Sequence, residues 1–413
     1  MKIQFIFPKW PKLEGQTRFD LPPLGPIQAA GCVPENFEVG VSDENVTPVD
    51  FEVDCDIVGI SMLLSCQAPR GYAIAREFKA RGKTVVMGGL HVTLCPEETL
   101  EHADAIVIGE GEGLIERMLR DFERGQMKKI YRRKPGEFAE IADVANPRRD
   151  LYDKQRNYSH KNWESVDLVM ASRGCRFDCY PCCTPFLGGR IHRVRPMERV
   201  IEDMRSCSDL MFIVDNSLEQ SRDFQKHLFR TMADADLGKY WVSHPITPDP
   251  EILRLAKKAG CWYVYHAIYT VSDKIKERIR RFHDHGIFVE GTILLGLDEH
   301  DEDFIKRFVD FLLSIDLDLA EFTILTPFPK TRAWNELEKE GRIIDRNWEH
   351  YNAGNVVYRP RQMSADKLLE LYHYAWKSFY SEESQYLKMG KLLLEPLKAL
   401  RNRRRLQHGR SLM

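Results

Sequence analysis

The sequence predicts an α/β fold: an N-terminal Rossmann-like (flavodoxin-like) parallel sheet, a partial (β/α)6 barrel after it, and a mainly helical C-terminal extension. Short apolar runs alternate with helix-like segments over the first 125 residues, the alternation lapses from 126 to 163, and a second, six-fold alternation begins near residue 165. The implied boundaries are 1–128 for the first domain, 129–163 for a linker, 164–335 for the barrel and 336–413 for the extension.

In the first half, strands are expected at 3–7, 37–41, 56–61, 84–88 and 105–108, with helices at 24–33, 70–80 and 114–123. Turn residues gather at the carboxyl ends of these strands: Ser61, the pair Gly88 and Gly89, and the run Gly109-Glu110-Gly111-Glu112-Gly113. In an open α/β sheet that edge is where ligands bind. The stretch 126–163 is rich in charge and turn formers and poor in periodicity, as an interdomain connection is. Strands of the second half are expected at 167–171, 210–214, 240–243, 262–268, 288–295 and 321–325, separated by helices such as 196–204, 250–259 and 301–314. Six such units suit an incomplete barrel, although periodicity alone does not separate a barrel from a flat sheet.

At 413 residues the chain is too long for a small binding module. Apolar residues make up 43%, and 60 basic against 62 acidic side chains leave a net charge of -2, so bulk charge gives no call for nucleic acid. The longest near-apolar stretch, 57–64, falls far short of the roughly 18 residues of a membrane span. A cytoplasmic protein without a membrane span is expected. The last 26 residues carry eight Lys or Arg against the single acid Glu395, and 386–406 reads as a basic amphipathic helix. Such a helix is usually solvated or packed on a domain; an acidic partner or nucleic acid is the alternative.

Four of the ten cysteines, Cys175, Cys179, Cys182 and Cys183, fall within nine residues, which in a reducing compartment points to metal. The other six are isolated in apolar surroundings and read as packing. Thiolates spaced by three and then two residues on one loop can turn toward one point, as three irons of a four-iron cluster require. A fourth iron would stay open to a substrate or cofactor. Zinc is the alternative, and it would want a fourth ligand, which Cys183 could supply.

The motif Cys175-x3-Cys179-x2-Cys182, on the loop after the first strand of a six-fold βα array, resembles the radical S-adenosylmethionine (SAM) superfamily. The resemblance implies a 4Fe-4S cluster on Cys175, Cys179 and Cys182, SAM chelated at the open iron and cleaved to a 5'-deoxyadenosyl radical, and an external electron donor such as ferredoxin or flavodoxin. The family usually has an aromatic residue immediately before the third cysteine; here that place is Pro181 and Tyr180 comes one earlier. By the same resemblance SAM contacts fall on Tyr180, on Asp215 and Ser243 at two strand ends, on Tyr269 where relatives commonly have a glutamate, and on Leu294 in the glycine-bearing fifth strand.

Joined to that loop, the first domain resembles the cobalamin-binding half of cobalamin-dependent radical SAM enzymes, through Pro22-Pro-Leu-Gly25, Ser42-Asp-Glu-Asn45, Asp56-Ile-Val-Gly-Ile-Ser61, Gly88-Gly-Leu-His91 and Gly109-Glu-Gly-Glu112. The implied cobalamin contacts are Gly25, Ser61, Met62, Leu63, Gly88, Gly89, His91, Gly109, Glu110, Gly111 and Glu112. The DxHxxG signature of a histidine under cobalt is absent, so the loop 62–67 would cover the lower face. His91 has three readings: a contact to the nucleotide tail, a cobalt ligand, or a local loop hydrogen bond.

The class so implied is a methyltransferase that methylates an unactivated sp3 carbon through methylcobalamin and a 5'-deoxyadenosyl radical. A non-methylating cyclisation or rearrangement is the alternative, and an iron-sulfur protein with a vestigial cobalamin domain is a third reading from another class. No second trio of cysteines supports nucleic-acid methylthiolation. Fewer than 90 residues follow the sixth strand, so an open cleft that takes a peptide or protein segment is favoured over an enclosed small molecule. Trp334, Trp348, Tyr351 and Tyr358 could line it, though aromatics at such spacing are more often core.

Overall fold

The computed structural model describes residues 1–11, 21–152, 166–380 and 388. Most of the basic segment 386–406 lies outside the described residues. Contacts divide the chain into two units, Met1–Ser206 with Thr326–Arg359, and Cys207–Leu325 with Pro360–Met413.

The first unit holds a six-stranded parallel sheet built from β1 (Lys2–Phe7), β2 (Glu38–Asp43), β3 (Ile57–Ser61), β4 (Thr84–Gly88), β5 (Ala105–Val107) and β6 (Ile130–Tyr131). Its order is β2-β1-β3-β4-β5-β6, which reverses direction at β1 and β3. That reversal puts a ligand crevice at their carboxyl ends. Alternation along the strands sends side chains to two cores. Ile3, Phe5, Ile57 and Val86 pack with Leu114 and Met118 of the helix Leu114–Glu123. Ile6, Val58, Ile60 and Met87 pack with Ile74 and Phe78 of the helix Ala68–Ala80. Each such fully buried side chain contributes about 1.5 to 3 kcal/mol. The sheet extends past the expected boundary at 128, because Ile130-Tyr131 forms an edge strand whose Tyr131 is fully buried and donates its hydroxyl to Asp121 at 3.0 Å. The charged run around it limits the strand to two residues, a common way to blunt an edge.

After β7 (Val166–Val169), the short antiparallel pair β8 (Ser172–Arg173) and β9 (Arg193–Val194) brackets the cysteine loop.

In the second unit β10 (Leu210–Ile213), β11 (Tyr240–Ser243), β12 (Cys261–Ile268), β13 (Phe288–Leu295) and β14 (Leu319–Ile324) pair in parallel with consecutive neighbours. Sequential order with a helix after each strand is the wall of a βα barrel, not a doubly wound sheet. The helix Ala365–Phe379 covers β14 through Phe322, whose ring meets Trp376 and Phe379 at 5.5 and 6.0 Å. Among the described residues no helix is long and apolar enough to cross a membrane.

Candidate cofactor sites

The loop after β3 begins with Met62, whose amide donates to Gly88 at 2.9 Å and whose side chain is fully buried in the core. The Gln67 side chain accepts from the amides of Leu63 and Leu64 at 2.8 and 3.1 Å and donates to the Pro8 carbonyl at 2.7 Å. This brace ties the loop to the end of β1 and leaves Leu63 as an exposed apolar side chain, 46% accessible. Gly89 has φ 109°, and a Cβ there would stand 2.3 Å from the Met62 carbonyl oxygen. Only glycine lets the two loops approach this closely. Ser61 lies beside Gly25, where an added Cβ would be 3.3 Å from the Ser61 hydroxyl. Between them these groups leave a floor of small residues and one protruding leucine at the crevice, which suits the broad apolar face of a corrin.

His91 is fully buried. Its Nδ1 meets the Ser65 hydroxyl at 3.0 Å and its Nε2 the Tyr72 hydroxyl at 2.9 Å. Tyr72 donates to Glu98 at 2.9 Å, so its oxygen is left to accept from Nε2–H, and Ser65 donates to Nδ1. Burial pushes the imidazole down to about 4, so it is neutral. Trp348 closes the cluster, edge-on to His91 at 5.6 Å and donating to Glu98 at 2.9 Å. Of the three readings of His91, this geometry is that of the local hydrogen bond. Trp348 packs on Tyr351 at 4.9 Å, and Tyr351 and Tyr358 are fully buried.

The carboxylates of Glu110 and Glu112 are taken up by arginines. Arg193 grips both oxygens of Glu110 at 2.5 and 3.1 Å, Arg173 reaches Glu112 at 2.5 Å and Glu110 at 3.4 Å, and the Ala139 amide donates to Glu110 at 2.8 Å. Arg133 donates to the backbone carbonyls of Glu110 and Glu112. Burial works to raise the Glu112 carboxyl, but the Arg173 hydrogen bond and charge outweigh it and hold the group low. What the Gly109–Gly113 loop can still offer a ligand is its backbone; the Gly109 amide already donates to Thr93 at 3.0 Å.

Two residues after Arg173 comes Cys175. Gly174 between them has φ 78°, and a Cβ would sit 2.0 Å from the Ile191 carbonyl oxygen, so the loop is pressed against the 188–191 turn. The Cys175 amide donates to Gly189 at 3.0 Å. Cys175 is buried while Cys179 and Cys182 are exposed, and the Cys182 amide donates back to Cys179 at 3.0 Å, curling the loop. The Cys182 sulfur lies 3.1 Å from the Thr184 hydroxyl. Cys183 points the other way, into a core with Leu90 and Leu94, where burial pushes its thiol up to about 12. Among the described residues no three metal-ligating side chains stand gathered as a ready ion site; with Cys183 withdrawn into the core, three thiols remain on the loop, one short of the four ligands of a structural zinc site. The Tyr180 ring carries the Arg332 guanidinium at 5.1 Å.

In the second unit Asp215 is buried and its carbonyl meets Nδ1 of His244 at 2.7 Å. The buried Ser243 hydroxyl donates to the His244 carbonyl at 2.8 Å. Tyr269 is 57% exposed, on a cleft of about 470 Å³ at the end of β12 that is also lined by His266, Thr270, Lys274, Arg278 and Arg281. Leu294 is half-buried, on the same face of β13 as Glu290 and Thr292.

Apart from Leu294, no residue of that face was singled out from the sequence. Tyr265 is paired in register with Glu290, and Thr292 with Glu321, so tyrosine and carboxyl groups line up on the side of the sheet away from the helices. Phe212 stacks on Tyr265 at 5.3 Å, with His244 beside both. Burial, and then the neighbouring Glu321 charge, push the Glu290 carboxyl up to about 8 against the lowering effect of a Tyr265 hydrogen bond. The period-two pattern Tyr-x-Tyr and Glu-x-Thr in strands otherwise apolar was the available signal.

Two family models match, the B12 binding domain over residues 15–119 and the radical SAM superfamily over residues 169–310. The chain is therefore a radical SAM protein that carries a B12-binding domain, the class whose cofactors are cobalamin, a 4Fe-4S cluster and SAM. Its relatives are mostly methyltransferases. It is 26% identical to bacteriochlorophyllide d C-12(1)-methyltransferase from Chlorobaculum tepidum, over 84% of this chain and 80% of that one. It is 23% identical to the anaerobic magnesium-protoporphyrin IX monomethyl ester cyclase of Cereibacter sphaeroides, over 91% of this chain and 72% of that one. In fold it is similar to the radical SAM methyltransferase TsrM from Kitasatospora setae, solved with cobalamin and 4Fe-4S cluster, with a TM-score of 0.68 at 15% identity over 93% of this chain and 90% of that one.

Proposed function

We propose that this chain is a cobalamin-dependent radical SAM methyltransferase acting on an unactivated sp3 carbon. The observation that carries the reading is the three-thiol loop with its fourth cysteine turned into the core, on a chain whose first sheet offers a small-residue crevice for a corrin. When bound, cobalamin supplies a carrier for a methyl group, and the cluster supplies an electron for cleavage of SAM.

The chain's own part is to hold and orient. Cys175, Cys179 and Cys182 hold the cluster. Gly25, Ser61, Leu63, Gly88, Gly89 and the backbone of the Gly109–Gly113 loop bound the cobalamin crevice, and neutral His91 braces the loop beneath it without offering a free nitrogen. Tyr180, Asp215, Ser243, Tyr269 and Leu294 are the SAM contacts in this reading. Tyr265 and Glu290 present hydroxyl and carboxyl groups that can orient a polar group of the acceptor. An external ferredoxin or flavodoxin supplies the electron. A peptide or protein segment is our reading of the acceptor, and the named substrate of the Chlorobaculum relative makes a tetrapyrrole the comparison compound.

The test is anaerobic incubation of reconstituted protein with SAM, reductant and hydroxocobalamin, following 5'-deoxyadenosine and S-adenosylhomocysteine together. Methyl transfer yields both products from the parent and neither from a variant with Cys175→Ala, Cys179→Ala and Cys182→Ala. The cyclase relative favours a second reading, non-methylating chemistry, which would give 5'-deoxyadenosine without S-adenosylhomocysteine.

A further inference from the structure

The ion-pair network around Glu110 joins two loops that the function assigns to different cofactors. On one side is the Gly109–Gly113 loop at the carboxyl end of β5, part of the cobalamin crevice. On the other is Arg173, two residues before Cys175, and Arg193, its cross-strand partner on β9. The four side chains involved are nearly buried, at 4% for Glu110, 13% for Glu112, 11% for Arg173 and 13% for Arg193. The same Arg193 donates to the Gly188 and Ala139 carbonyls at 2.9 and 3.0 Å and lies 4.6 Å over the Phe138 ring. Gly188 in turn borders the turn that receives the Cys175 amide. Two-pronged arginine–carboxylate pairs fix orientation as well as distance. Breaking one inside the protein strands a charge, so neither loop can shift without the other.

We infer that Glu110, held between Arg173 and Arg193, is a positioning residue that couples cobalamin binding to assembly of the iron-sulfur cluster. Cluster assembly fixes Cys175 and so Arg173; Arg173 and Arg193 then fix the loop that cobalamin meets. By linkage, the first cofactor pre-orders the site for the second, and the effect is reciprocal. The inference rests on the two-cofactor reading above.

The experiment measures the hydroxocobalamin dissociation constant by absorbance titration in cluster-free and cluster-loaded protein. The parent binds cobalamin about fivefold or more tightly when the cluster is present, within the usual range of such couplings. Glu110→Gln, which keeps the shape and removes the charge, brings the ratio close to one. Arg193→Lys, which keeps the charge and loses the fork, gives an intermediate ratio and serves if Glu110→Gln fails to fold. A merely structural Glu110 would weaken both constants by one factor and leave the ratio intact, and that result overturns the inference. Equal affinity in the two parent forms overturns it as well. A parent that binds no cobalamin in either form instead sinks the two-cofactor reading itself.

Discussion

Glu112 in the first unit and Glu290 in the second are both withdrawn from water, yet their carboxyl groups move in opposite directions. Glu112 faces Arg173, whose hydrogen bond and charge overcome burial and keep it ionised. Glu290 faces Tyr265 and a second carboxyl, Glu321, so burial and like charge act together and raise it to about 8. The difference is one of partners, not of depth. A buried glutamate with an arginine is a fastener; one with a glutamate is a proton holder at neutral pH, free to donate a hydrogen bond to whatever occupies that face.

The largest effect expected from this contrast is at the fastener. Arg173→Ala strands the buried Glu112 carboxylate, while Glu110 keeps Arg193, and should cost about 3 to 5 kcal/mol, read as a lowered denaturation midpoint. A loss under about 1 kcal/mol would mean that water already reaches the network.

The pH profiles should diverge next. An unfolded glutamate titrates near 4.3, so with the native Glu290 raised to about 8 the folded state keeps a proton that the unfolded state gives up. Its stabilisation is full below about pH 4.3 and drains as pH rises toward 8. Glu290→Gln keeps the neutral form at every pH. The variant should gain on the parent by about 3 to 4 kcal/mol between pH 5 and 8 and little more above that. Glu112 has the reverse sign: its contribution is present above the unfolded value and lost as pH falls through the lower folded one. Glu112→Gln should therefore trail the parent at neutral pH and draw level in acid. Thermal melts across pH 2 to 9 check both, and parallel profiles for the two variants would undo the comparison.

Smaller effects concern neutral groups. His91→Phe takes from the Ser65 hydroxyl its partner and from the Tyr72 oxygen its imidazole donor, Tyr72 keeping its bond to Glu98, and should cost about 1 to 3 kcal/mol, while the absorbance spectrum of bound cobalamin stays as in the parent. A spectral change would restore His91 as a cobalt ligand. Cys183→Ala removes a small buried side chain, costs about 1 kcal/mol and leaves the iron content unchanged.

Alternation over the first 125 residues and again from about 165, with the cysteine spacing, made the two sheets and the cluster loop legible, because strand period, helix period and ligand spacing are local properties. The helix Leu114–Glu123 and the strand Phe288–Leu295 fall where the periodicity puts them. Partners distant in sequence were not legible. Arg193 meets Glu110 across 83 positions and Trp348 meets Glu98 across 250, and nothing in either segment alone announces the other. For the same reason Glu110 and Glu112 read as ligand contacts from the glycine-rich run, whereas their carboxylates are occupied by arginines. The stretch from 129 read as linker because charge outweighs its two-residue strand, yet it supplies Tyr131, Arg133 and Ala139 to the first unit.

The most direct test of the account is the iron and cobalt content of anaerobically reconstituted protein, measured side by side in the parent, Cys182→Ala and Cys183→Ala. The account predicts about four irons and one cobalt per chain in the parent and in Cys183→Ala, and loss of the cluster in Cys182→Ala. A cluster that survives loss of Cys182 but not of Cys183, zinc in place of iron, or iron without cobalt would contradict it.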